Sequence, residues 1–561
     1  MAWLDSSRPD ALVARLETLP DDPPDGLERL PDDLSRLEEI NPTLHLQAIK
    51  ALADASRQCR NRAMTVKFLG HIISFLDVKA LIGITVGVLF NLCNDSEDSQ
   101  MEAARLKLAC ILATLIATQS IAAGSAAASQ AIQLLYWTVQ RMSQTSTLQS
   151  LDSPELLTQI LSFLECSECC EDPENFVMLG DTALLFYDFL ESYIAYSLLD
   201  RCLGVYRSAV KFVCRLKDEE RLEEADSIAS LSTRLLHGLS GVSTAAHFTA
   251  TNDFSGPVIR RLLDWLDRDE RPLQTCACIM LGNYAVDTRR CEEMVQAGVD
   301  AKVVRIMREA RFVIASDPLE DSDETLHAAA GLVGHLAIPA KNKERLGHGG
   351  VIEEACFLLS SSVPQLQRDG AYLLRLLLNR CLPNVHHVVD KRPAGSLGPT
   401  SEAAPLLDDL LLASSTVGPA SIDASRAIFH ILRGLHLLGA DHERLATLYR
   451  SQIITSPFLN LLRQKEDPAV RSEGLLGLAL MAQTQPGALC VLEALKDDAN
   501  FELITLREDN PHYHGGDKAN TLCMIHGLLQ NGGETDSDTR GKLTDMFHDL
   551  SRERKDIVVT T

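Results

Sequence analysis

Aromatic side chains are scarce: they make up 5% of the 561 residues, although 46% of the chain is hydrophobic. That leaves a large core but few of the residues that many strands rely on, so helices are the first expectation. Basic residues are also in deficit, 53 against 77 acidic ones, for a formal net charge of −24. Such a surface repels nucleic acid phosphates and anionic lipid, and attracts basic protein segments. A disulfide framework is lacking too. The 15 cysteines are scattered, mostly inside apolar runs such as "LKLACILATLI" around Cys110 and "TCACIMLGN" with Cys276 and Cys278, where a free thiol is a small hydrophobe. The odd count and an acidic N-terminus with no cationic, apolar leader point to a reducing compartment, the cytosol.

Long hydrophobic spans are missing as well. The longest uncharged stretch, residues 108–137, has the length to cross a bilayer, but Thr, Ser, Gln and Gly dilute it. It reads as a buried core segment, and no stable membrane insertion is expected. The final "DIVVTT" carries no prenylation cysteine.

Motifs that carry chemistry are equally absent. There is no phosphate-cradling GxxxxGK[ST], no dinucleotide fingerprint and no GxSxG elbow. Cys166, Cys169 and Cys170 in "ECSECCEDPE" have no second Cys or His pair at zinc spacing. His512 with His514, and His386 with His387, lack a carboxylate at a metal-site distance and read as loop histidines. No covalent chemistry, cofactor or metal is expected.

Repetition is what the chain does have. "LGNYAVDTRRCEEMVQAGVDAKVVRIM" (281–307) aligns with "VGHLAIPAKNKERLGHGGVIEEACFLL" (333–359), matching Gly282 with Gly334, Ala285 with Ala337, Gly298 with Gly350 and Val299 with Val351 at a constant offset of 52 residues. The interval holds the acidic "SDPLEDSDE" (316–324), which reads as an inserted loop. Without it the period falls to the roughly 40 to 47 residues of HEAT and armadillo units. A third copy, "SVPQLQRDGAYLLRLLLNRC" (362–381), begins at a proline and puts Arg375 forty residues after His335. Weaker echoes lie at 86–98 and 469–484. Each unit reads as a long small-and-apolar helix stopped at a proline such as Pro339, then a short helix ending at glycine before the next begins. Units of this kind bury their apolar faces only by stacking. The fold class expected is all-α, an armadillo/HEAT-like right-handed α-solenoid superhelix with a concave groove.

The expected organisation is an acidic arm or cap over 1–40, repeats over 41–389, a Pro/Gly/Ser-rich loop or linker at 390–405, further repeats over 406–550, and a tail at 551–561. Asn91, Asn283, His335 and Arg375 fall at a recurrent polar position on the long helices and are expected to line the groove, where they can bond a partner's backbone. Asp287, four residues after Asn283, is expected on the same face.

The run "LLDWLDRDERPLQTCACIMLGNYAVDTRRCEEMVQAGV", followed by "HAAAGLVGHLAIPAKNKERLGHGGVIEEACFLLSSSVPQLQ", resembles the SmgGDS family, the armadillo-repeat GDP-dissociation stimulators of small Ras- and Rho-type GTPases. The resemblance is clearest from Leu262 to Arg380. It implies a protein with no active site in the usual sense, which binds small GTPases carrying polybasic, often prenylated C-termini. It further implies a cytosolic escort that promotes nucleotide release, gripping the switch regions with the groove and the basic tail with an acidic patch. The family's paired groove asparagines match Asn283 and Asp287, the second replaced here by an acid, and His335 stands where Asn is usual. "KDEERLEEAD" (217–226) and "SDPLEDSDE" are the candidate acidic patches, and the small-residue helices at 106–133 the candidate entry for a prenyl chain. The competing reading is an armadillo adaptor that binds extended peptides, although Trp3, Trp137 and Trp265 show none of the Trp–Asn ladder of importin-type grooves.

Overall fold

The computed structural model describes residues 69–556 and isolated positions between 14 and 51. Residues 71, 95, 122–124, 145–152, 167–171, 188–195, 244–245, 317–321, 391–405, 417, 419, 440–448, 450–453, 465, 506–515 and 534–536 are not described. Most of the expected arm, all of the expected 390–405 linker but Asp390, and Cys169, Cys170, His512, His514 and the centre of "SDPLEDSDE" therefore lie outside the described residues. The regular structure that is described is helical throughout, and the chain is an all-α, armadillo-like solenoid. Contacts divide it into two compact units, Met1–Arg261 and Leu262–Thr561, at a point that composition does not mark.

The first unit contains α1 (Ile82–Cys93), α2 (Glu97–Arg105), α3 (Leu108–Ala117), α4 (Ala126–Gln144), α5 (Ser153–Glu165), α6 (Pro173–Tyr187), α7 (Tyr196–Asp218), α8 (Leu222–Val242) and α9 (Ala246–Thr251), and α10 (Pro257–Leu266) runs across the boundary. Helices α1, α4, α6 and α8 stack in sequence as one column, with α3, α5 and α7 as a second. The uncharged stretch 108–137 breaks into α3 and α4, and Gln119 turns between them at φ +52°. No described helix is long and apolar enough to cross a membrane.

The second unit contains α11 (Arg271–Tyr284), α12 (Thr288–Gln296), α13 (Val299–Ser316), α14 (Asp323–Leu336), α15 (Ala340–Leu346), α16 (Ile352–Leu359), α17 (Pro364–Leu378), α18 (Leu382–Asp390), α19 (Leu406–Ser415), α20 (Ala420–Leu437), α21 (Ser456–Leu462), α22 (Pro468–Ala482), α23 (Gln485–Leu495), α24 (Asp498–Ile504), α25 (Asp517–Asn531) and α26 (Ser537–Asp556). The last of these carries half of the expected tail into a helix. The long helices α11, α14, α17, α20, α22 and α25 pack in succession as a ladder. Behind them α13, α16, α19, α21 and α24 form a second column, and α12, α15 and α18 bridge the turns.

Local chemistry sets the helix starts. Pro272, Pro364, Pro468 and Pro486 occupy first-turn positions, where a fixed φ helps and the missing N–H costs nothing. Asp467 accepts from the amides of Ala469 and Val470, and Thr484 from that of Gly487. Interiors are close-packed around Trp265, Tyr284, Phe429 and Phe458, all buried. Cys276 and Cys278 are buried as well, and burial pushes the Cys278 thiol up to about 12, so it packs as a hydrophobe.

The glycine punctuation has a backbone cause. Pro339 caps α15 with φ −65°, after which the chain passes from α15 through a π-type turn, Gly347–Val351, into α16. Gly350 turns there at φ +106°, and its counterpart Gly298 at φ +82°. A Cβ on Gly350 would collide with the Arg308 guanidinium, which reaches on to the buried Glu354 at 3.3 Å. Gly350→Ala is accordingly expected to destabilise the second unit by about 1–3 kcal/mol, read from the shift in urea midpoint. An unchanged midpoint would remove this account of the turn.

Candidate functional site

The exposed stripe of each ladder helix follows from its sequence. Along α14 and its exit, Glu324, His327, Gly331, His335 and Ile338 recur at three- and four-residue spacing and are all exposed, while the residues between them are buried. This stripe is the face of the ladder left free by the second column.

Asn283 and His335 occupy equivalent places, each one residue before the end of its helix. Asn283 is half-buried on α11, and His335 is exposed on α14. The His335 ring lies over Gly282, its Cδ2 at 3.8 Å from where a glycine side chain would begin. The part of the ring covered by the neighbouring repeat loses hydration, which lowers the pKa of this imidazole, and a hydrogen bond with the Ala285 carbonyl partly opposes the shift. Its own carbonyl accepts from Cys291 Sγ at 3.4 Å. His335 thus joins two repeats while remaining exposed on the stripe of α14.

Asp287 is placed differently from expectation. The helix ends at Tyr284, so Asp287 shares no helix face with Asn283. It caps α12 instead, accepting from the Arg290 amide at 2.9 Å. Helical spacing does not carry from Asn283 to Asp287 because the chain leaves the helix between the two residues. Arg375 lies three residues before the end of α17, deeper than its counterparts, and pairs with Asp423 of α20 at 2.6 Å while resting 4.9 Å over the Tyr372 ring. Asn91 sits half-buried near the end of α1, in the other unit, next to Phe90, which stacks on Trp137 of α4 at 5.4 Å.

Four polar pairs along the second ladder connect one rung to the next. Thr275 bonds Thr325 at 2.9 Å, His327 bonds Asp369 at 2.6 Å, Arg375 pairs with Asp423, and Arg426 grips Glu473 through two bonds of 2.8 and 3.0 Å. Asp369 raises the pKa of His327 through that bond.

Two asparagines were missed. Asn342 donates to the carbonyls of Cys291 and Leu336 at 3.2 and 2.9 Å, and Asn384 to those of Lys343 and Leu377 at 2.8 and 3.0 Å. Both are buried and satisfy helix-end carbonyls that would otherwise be orphaned. Their signal is an Asn in the first turn of a short helix, in "PAKN" and "LPN". His386 and His387, read as loop residues, lie in α18, and His387 Nε2 meets Glu353 at 3.2 Å. Among the described residues no group of His, Cys, Asp and Glu could hold a metal ion.

In the first unit the column α4–α6–α8 opens a cleft of about 450 Å³, lined by Tyr136, Val177 and Met178 and by three carboxylates, Glu174, Asp181 and Glu224. Asp181 pairs with Arg234 at 2.9 Å, and Glu224 with Arg221. The cleft stays net acidic, with apolar and aromatic floor groups beside the charges. Glu224 belongs to the acidic segment 217–226 singled out in the sequence.

No family model matches the chain. Over 125 residues, 22% of this chain and 19% of the relative, it is 30% identical to Rap1 GTPase-GDP dissociation stimulator 1-A of Xenopus laevis. Over 163 residues, 29% of this chain and 24% of the relative, it is 22% identical to the GTPase-GDP dissociation stimulator vimar of Drosophila melanogaster. The match thus spans a quarter or less of each curated relative's length. A solved structure from work on the interaction between cadherin and beta-catenin superposes with a TM-score of 0.54 at 16% identity, covering 94% of this chain and 97% of that one. That likeness concerns the fold. The partial homology with GTPase-GDP dissociation stimulators is carried by sequence.

Proposed function

We propose that this protein binds small GTPases of the Ras and Rho type whose C-termini are polybasic and often prenylated, acting as a GDP-dissociation stimulator and cytosolic escort. The observation that carries the reading is the 30% identity over 125 residues to a Rap1 GTPase-GDP dissociation stimulator. The net charge of −24 and the Glu174–Asp181–Glu224 cleft support the basic-tail part, since a lysine stem can lie on Val177 and Met178 while its ammonium meets a carboxylate. Asn283, His335 and Asp287 are the residues proposed to meet the GTPase body, and Arg375 and Asn91 the further groove positions. No proton transfer or bond-making is asked of any of them. A stimulator of release works by binding the nucleotide-free or distorted GTPase more tightly than the GDP-bound form. Asp287 retains an acceptor where an amide would also donate, which weakens release more than binding.

The test is a nucleotide-release assay with prenylated and unprenylated Rho, Rap and Ras proteins, repeated with Asn283→Ala. Acceleration for at least one GTPase, reduced by roughly five- to tenfold in the variant, is expected for the loss of a hydrogen bond worth about 1–1.5 kcal/mol. No release and no binding anywhere in the panel would favour the second reading, an armadillo adaptor for extended peptides, which the free stripe of α14 also suits.

A further inference from the structure

One part of the second ladder is opposite in sign to the chain as a whole. On α20, Arg426, His430 and Arg433 follow one another at spacings of four and three residues, hence along one face. Arg375 of α17 and Lys343 of α15 also bear on His430. Two of these cations are fixed by carboxylates, Arg375 by Asp423 at 2.6 Å and Arg426 by Glu473 at 2.8 Å. Lys343, buried, donates to the Asn379 carbonyl at 2.9 Å. Arg433, half-buried, meets no carboxylate among the described residues. Asp467, the cap of α22, also bears on Arg426, so four cations face three carboxylates, a local excess of positive charge on a chain of net charge −24.

At the centre of this cluster His430 is 4% exposed, and neither ring nitrogen has a hydrogen-bond partner. Buried polar groups are ordinarily satisfied, so an imidazole with both nitrogens orphaned calls for a missing partner. Burial, and then Arg426, Arg375, Arg433 and Lys343, hold it neutral, with its pKa pushed down to about 3. A neutral imidazole keeps one N–H to donate, and the surrounding charges select an anion as acceptor.

The spacing separates two kinds of anion. Arg426 and Arg433 stand two helical turns apart, about 10 Å along the axis, which exceeds the width of a single phosphate and matches about three residues of extended chain. Leu437, 65% exposed, continues the same stripe one turn on and offers an apolar contact beside the charges.

We propose that the α17–α20 part of the ladder binds an acidic segment of a partner polypeptide lying in extended form, its carboxylates meeting Arg433 and the Arg426–His430 region. The proposal goes beyond the GTPase reading and stands without it.

The test is fluorescence anisotropy of the full chain at low salt against an array of labelled decapeptides carrying Glu or Asp at varied spacing together with Leu, and their Lys-substituted counterparts. Acidic peptides with carboxylates about three residues apart should bind best, and Arg433→Glu and Arg433→Gln should weaken them by roughly tenfold and threefold. Arg289→Glu, a reversal at an exposed position on α12, should leave them unchanged. Thermal unfolding of each variant checks that it folds. The proposal is overturned if no acidic peptide binds, if binding ignores both Arg433 variants, or if inorganic phosphate alone binds in an Arg433-dependent manner.

Discussion

Raising ionic strength from about 0.05 M to 0.5 M is expected to weaken binding of a GTPase with a polybasic tail by roughly ten- to a hundredfold, as the screening length falls from about 14 Å to about 4 Å. The attraction has two sources, the net charge of −24 and the three carboxylates of the α4–α6–α8 cleft. The first steers encounters over long distances and acts mainly on the association rate. The second acts at contact. Glu174→Gln, Asp181→Asn and Glu224→Gln combined should cost about tenfold in affinity at low salt and flatten the salt dependence, because exposed pairs worth a few tenths of a kcal/mol each add only when several engage one ligand. Titration calorimetry at four salt concentrations reads both effects. A triple variant with the same slope as the native protein would place the tail elsewhere. The same titration with unprenylated GTPase separates the lipid contribution, and equal affinities would remove the prenyl chain from the proposal.

Acidification is expected to destabilise the second unit between pH 6.5 and about 3, and His430 is the reason. Its folded-state pKa is pushed down to about 3 against an ordinary value of 6.5, chiefly by burial and then by Arg426, Arg375, Arg433 and Lys343. Above pH 6.5 the ring is neutral in both folded and unfolded chains and contributes no pH dependence. Below it the unfolded chain takes up a proton that the folded one refuses, so stability falls as pH falls, by up to about 1.4 kcal/mol per pH unit within the window. At pH 5 that amounts to about 2 kcal/mol. The carboxylates facing the cluster are Asp423, paired with Arg375, Glu473, paired with Arg426, and Asp467, which bears on Arg426. Urea unfolding at pH 7 and pH 5 of the native chain and of His430→Leu measures the effect, since the variant should lose less stability than the native chain over that interval. Parallel losses would assign the acid sensitivity to other groups.

Much of the architecture was legible because solenoid repeats are written locally. Pro364 opening a helix, Gly298 and Gly350 turning the chain, and the small apolar runs of α11 and α14 each follow from backbone sterics or from one-dimensional stacking. Asn283 and His335 were correctly matched because they stand at the same distance from the ends of equivalent helices. The site was less legible. Asp287 left the face that helical spacing assigned to it once α11 ended at Tyr284, and Arg375 turned out to spend its charge on Asp423, 48 residues away in sequence. Of the cationic cluster around His430, only the Arg426–His430–Arg433 spacing on α20 is local; Arg375 and Lys343 join it from α17 and α15, which no local pattern shows.

The sequence by itself determined the helices, their caps and stops, the repeat order and the acidic balance, because each depends on residues within one or two turns or on a sum over the chain. Only the tertiary structure decided which polar groups face one another across the ladder, which acidic residues border a cleft, and that a core histidine is left unsatisfied amid four cations. Those are distances between helices, set by how side chains such as Trp265, Phe429 and Phe458 pack, and no local pattern encodes them.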